Sequence, residues 1–149
     1  MSTLKRIVGA YLLLVGVAVG VHTVIEPLYH VSTEAQPYSA FWNILNPCMA
    51  VALLLTMLFG HLRMKRVCSE GGSGPVTREY LCANVLYFGA FFIGIMFFWN
   101  WFNLHSPEFT AIGPQAVSLT WIVIDAALPL LLCAMGAHLT GCSWCREGE

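Results

Sequence analysis

Charge is scarce in this sequence. Lys, Arg, Asp and Glu make up 10% of its 149 residues, while 58% are hydrophobic. A soluble domain carries about 25% charged residues. So little charge cannot cover a water-facing surface, which excludes an ordinary soluble domain. The formal net charge is −1, so no basic field points to nucleic acid. A glycine-rich phosphate loop, a low-complexity tract and a clear internal repeat are all missing, and the length fits one domain, 1–149.

Long apolar runs fill the space that charge leaves. Four stand out, roughly 4–25, 41–62, 80–102 and 115–139. Each is close to or beyond the ~20 residues that a helix needs to cross ~30 Å of hydrocarbon. A helix satisfies its own backbone polar groups, which lipid cannot do. The expected fold is therefore all-α: an integral membrane four-helix transmembrane bundle. Lys5 and Arg6 before an apolar run, with Ala18-Val19-Gly20 as a weak small-x-small site, also resemble a signal peptide; the expectation is an uncleaved helix.

Lys and Arg are missing from two of the loops. Lys5, Arg6, Arg63, Lys65, Arg66, Arg78 and Arg146 all fall on one side of the four-span layout, and the loops near 26–40 and 103–114 hold none. The positive-inside rule then places both termini in the cytoplasm. The expected location is a bacterial inner (plasma) membrane. Trp42, Trp99, Trp101 and Trp121 collect towards the opposite face, as an aromatic belt would. Glu26-Pro27 is expected to end or kink the first span and Ser106-Pro107 to stop the third. Residues 69–75, SEGGSGP, read as a turn, and Thr77 as a candidate cap for the third span.

Asp125 is the most costly residue of the chain. It lies about ten residues into the fourth span, ~13–15 Å deep at 1.5 Å per residue. An acid there costs about 2.5–3.5 kcal/mol on insertion scales. Pro129 cannot donate to the carbonyl of Asp125. Asn46, before Pro47, is expected to cap a restarting helix. Asn46, Asn100 and Asp125 are expected to converge as a polar intramembrane cluster. Its readings are a packing network or a site for a proton, ion or ligand.

The histidines offer ligands. His22 and His105 lie near one membrane face, His61 and His138 near the other, a pattern compatible with haem b. His22, Glu26 and His30 are spaced by four, with Glu34, His105 and Glu108 nearby, a donor set for copper, zinc or iron. Cysteine is absent from the two loops that lack Lys and Arg, which opposes a disulfide scaffold and a periplasmic thiol oxidase. Cys142-Ser143-Trp144-Cys145, with His138 and Cys68, makes a candidate cytoplasmic zinc set. Gly16 and Gly20, and Ala90 and Gly94, are small-xxx-small pairs that let helices approach in lipid.

No complete catalytic set is present. The expected function is a small accessory subunit, more a non-catalytic chain than an enzyme. It would pack against a larger membrane complex, or a second copy, and hold lipid or pigment. The alternatives are a haem- or metal-binding membrane redox protein and a small proton-coupled transporter using Asp125.

Overall fold

The structure, a computed structural model, describes residues 3–33, 36–71, 76–106, 108 and 112–141. It holds four helices, α1 (Thr3–Tyr29), α2 (Trp42–Gly71), α3 (Arg78–Leu104) and α4 (Pro114–Thr140). All four are long and apolar enough to cross a membrane. The 27 residues of α1, α3 and α4 rise about 40 Å, the hydrocarbon layer plus part of both headgroup regions.

The helices outrun the apolar spans because helix propensity does not stop where hydropathy does. α2 continues nine residues past Leu62, through Arg63, Lys65, Arg66 and Cys68 to Gly71. Met, Lys, Arg and Leu are good helix formers, and the segment holds no Gly or Pro before Gly71. Ser69 to Gly71, expected in a turn, are thus helical, and 72–75 lie outside the described residues. Glu26-Pro27 does not end α1, because the helix runs to Tyr29 and the His30 N–H donates to the Glu26 carbonyl at 2.9 Å. A proline so near a C-terminus forfeits one hydrogen bond and leaves few turns to disturb.

Asn46 is no cap either. The Ile44 and Leu45 N–H groups already donate to Phe41, so α2 is under way before Pro47. Thr77 does cap α3: its side chain accepts from the Tyr80 N–H at 3.2 Å. α3 stops at Leu104; Pro107, its expected stop, lies outside the described residues. Pro114 opens α4, and Gly141 ends it in the left-handed region at φ 97°, where a side chain would be strained.

Consecutive helices are antiparallel neighbours and close a ring. α1 and α3 each touch α2 and α4, α2 meets α4 across the diagonal, and α1 and α3 do not meet among the described residues. The start of α1 lies against the end of α4, with Gly9 beside Gly136, Leu139 and Thr140. One end of the bundle therefore carries the start of α1, the end of α4 and the α2–α3 connection. We call it the terminal end. The other, the connection end, carries the α1–α2 and α3–α4 loops. The described Lys and Arg, at 5, 6, 63, 65, 66 and 78, all belong to the terminal end. Arg146 lies outside the described residues.

The core is a narrow apolar column. On α4 it takes Trp121, Ile124, Leu128, Leu132, Met135 and Leu139, a stripe with helical spacing. Trp121 belongs to that stripe and not to a belt: it is 8% exposed and meets the Phe97 ring edge-on at 5.9 Å. Outward, Leu14, Leu28, Ile44, Val85 and Leu130 are each more than half exposed. Apolar side chains spread over the helix surfaces would aggregate in water and are at home in lipid.

The seam between α1 and α4 is the tightest. A Cβ on Gly9 would stand 2.9 Å from the Gly136 carbonyl oxygen, and one on Gly136 would stand 2.8 Å from that of Gly9. Gly16 is nearly as close, 2.8 Å from Cys133 Sγ, while Gly94 meets the flexible Met57 thioether at 3.1 Å. Both small-residue pairs are thus spent on helices of the same chain.

Candidate functional site

The polar side chains gather where α1 and α2 meet at the connection end. α1 brings His22, Glu26 and Tyr29, which share one face by their spacing of three and four. The loop and the start of α2 bring Ser39 and Trp42. Glu26 accepts twice, from the Ser39 N–H on Oε1 at 2.7 Å and from the Trp42 indole N–H on Oε2 at 2.8 Å. These are charge-assisted contacts of the stronger kind. The Tyr29 hydroxyl donates to Ser39 Oγ at 3.2 Å. His22 meets Tyr29 through Nδ1 at 3.2 Å and Ser39 Oγ through Nε2 at 3.1 Å. A neutral imidazole with its proton on Nδ1 closes this triangle with every group satisfied. Phe41 and Trp42 pack edge-on against His22, with ring centroids 5.7 and 4.7 Å away. His22 and Ser39 are buried.

Asp125 borders this network from α4. Gly16 lies against Leu132 and Cys133, and Gly20 against Pro129, so the antiparallel register carries Asp125 to the level of His22. Its carboxyl is within electrostatic range of Glu26. Asp125 Oδ1 is buried and has no hydrogen-bond partner. Asn46 lies one turn beyond Trp42 on the same face of α2, is itself buried, and its Oδ1 has no partner either. Asp125 and Asn46 thus each carry a buried acceptor without a donor, on the helices next to a carboxylate that already holds two donors. The arrangement calls for a donor or a positive charge.

Asn100 stands apart. It is 1% exposed, and its amide donates to the Val117 carbonyl of α4 at 3.1 Å. Val117 precedes Asp125 by about two turns, ~12 Å of rise, with the ring contact of Phe97 and Trp121 at the level between. Asn100 ties α3 to α4.

Among the described residues, the remaining candidate ligands do not assemble. Both nitrogens of His22 are engaged, so iron or copper would have to break one of these bonds. His30 is half-buried, with Nε2 unpartnered. His105 follows α3 as its C-cap, exposed, with its ring 6.0 Å from that of Trp101. Glu34 lies outside the described residues. Among the described residues no three His, Cys, Asp or Glu side chains form a metal-ligating group. Cys68 is exposed on the last turns of α2, and His138 is half-buried near the end of α4, both at the terminal end. Cys142 and Cys145 lie outside the described residues. Cys48, Cys68 and Cys133 carry free thiols.

Sequence reasoning missed Ser39 and Tyr29 and gave Trp42 to a belt. Ser39 offers no signal of its own, because its partners lie 10, 13 and 17 residues away. The clue available was Glu26, a carboxylate at a span end, where a donor such as an indole has to meet it. Comparison with known proteins finds no matching family, no matching curated protein and no matching solved structure.

Proposed function

We propose that the chain is a small integral membrane protein that takes up and releases a proton at the connection end, through Asp125 beside Glu26 and His22. The observation that carries this reading is Asp125: a buried carboxyl oxygen without a partner, at the level of a closed network with two further acid–base groups. A proton on Asp125 supplies a donor there and leaves the Glu26 bonds intact. Ionisable groups at membrane depth mark proton paths as a rule. The positive-inside rule puts the connection end on the outer face and both termini in the cytoplasm. The protein would act in a proton-coupled transporter or as the proton-handling part of a larger assembly. The test is flux: purified chain in liposomes with an internal pH dye is expected to pass protons under a gradient, and Asp125→Asn to abolish this. Equal flux from both chains, or none from either, overturns the reading.

A second reading, an accessory subunit of a larger membrane complex, draws on α3. Phe88, Phe91, Ile95, Trp99 and Phe102 form a continuous exposed stripe along it, a face suited to another helix as well as to lipid. Mild-detergent purification is expected to bring down a partner, with Phe88→Ala and Phe91→Ala together releasing it. A lone monodisperse monomer rejects this reading.

A further inference from the structure

The terminal end holds a cation that is poorly served. The Arg63 side chain is 5% exposed, and the ion pair it makes is a long one: Nη2 to Glu79 Oε1 at 3.9 Å, with Glu79 itself 57% exposed. Arg63 Nε is buried with no hydrogen-bond partner. A guanidinium presents five donors in a rigid fork made for a bidentate oxyanion, and Glu79 touches the fork at its edge.

Other cations gather around it. Arg66 follows three residues later on the same face of α2. Arg63, Arg66, Glu79 and the first-turn Lys5 of α1 are all within electrostatic range of His138 on α4. Among the described residues, three helices thus bring Arg63, Arg66 and Lys5 within electrostatic reach of the His138 imidazole, with the exposed Glu79 as the acid there. The cluster sits at the ends of apolar helices, where headgroups lie. Basic pockets between membrane helices at this level suit anionic headgroups.

The geometry points to a phosphate-group site formed by Arg63, Arg66, Lys5 and His138, in which the phosphate displaces Glu79 from Arg63. A phosphate gives the fork two oxygens at once, including a partner for Nε, where the carboxylate reaches one corner. The group can come from an anionic lipid headgroup or from free phosphate. This site is separate from the connection-end cluster and stands or falls without it.

The test titrates the full purified chain in detergent with phosphatidylglycerol, with diacylglycerol of the same acyl chains, and with inorganic phosphate. Binding is followed by native mass spectrometry and by the thermal unfolding midpoint. Phosphatidylglycerol is expected to bind and raise the midpoint, and diacylglycerol to do neither. Arg63→Met should weaken binding about tenfold or more, and Arg66→Gln by about threefold. Glu79→Gln, which removes the competing anion from an exposed position, should tighten binding about two- to fivefold. It keeps the test decisive if Arg63→Met fails to fold. A response to inorganic phosphate equal to that for the lipid supports the site and assigns it to the free ion. Equal binding of phosphatidylglycerol and diacylglycerol with no response to phosphate, or an affinity unmoved by Glu79→Gln, overturns it.

Discussion

The two ends of the bundle treat their charged groups in opposite ways. At the connection end Glu26 is surrounded by donors, with a backbone N–H and an indole at 2.7 and 2.8 Å, and His22 is locked between two hydroxyls. At the terminal end Arg63 is as deeply buried as His22 and has, among the described residues, one long ion pair and an Nε without a hydrogen bond. One charge is built into the fold; the other is set in place and left to find a partner. A satisfied network contributes rigidity, whereas an unsatisfied buried charge is a cost that a ligand can relieve. Between the two lies Asp125, next to the satisfied end but not part of its bonds.

Mutations can break this contrast, and the largest effect should come from the seam that holds both ends in register. Gly136→Val puts a branched side chain 2.8 Å from the Gly9 carbonyl oxygen, with backbone on the far side that cannot yield. Overpacking of this kind costs about 1–3 kcal/mol or more, so the chain is expected to lose its folded, monodisperse peak in size-exclusion chromatography. Glu26→Ala should come next. It strands the Ser39 N–H and the Trp42 indole, at about 1 kcal/mol for each donor, because both bonds are half-buried and water replaces them in part. Thermal unfolding in detergent should fall well below wild type, and Trp42 fluorescence should shift with the loss of its bond.

Asp125→Asn should move stability far less, by under about 1 kcal/mol, because no hydrogen bond of the fold ends on the unpartnered oxygen. Its effect belongs to proton flux. Arg63→Met should change least of all in lipid-free detergent. Replacing a poorly paired buried charge with an apolar chain of similar length is often neutral or stabilising. Unfolding that drops as far in Arg63→Met as in Glu26→Ala would mean that the two ends are alike and the contrast is wrong.

The pattern of effects follows what the residues alone disclosed. The sequence determined four helices, their approximate places and the gathering of Lys and Arg at one end, because helix period, span length and charge are local quantities that read along the chain. It marked Asp125, Glu26 and His22 as costly or reactive, because burying an acid or an imidazole in an apolar run is expensive wherever it occurs. It misplaced the end of α1 and the cap at Asn46, because a proline near a helix end costs too little to break the helix, and the face of Trp121, because that ring packs against Phe97 on another helix. Only the tertiary structure decided that Glu26 would be held by Ser39 and Trp42, that Asn100 would leave Asp125 for Val117, and that Arg63 would be buried beside a half-committed Glu79. Those choices depend on helix rotation and register, which in lipid are set by close packing at Gly9 and Gly136 more than by hydrophobicity, since apolar side chains cover the outward faces as well as the core.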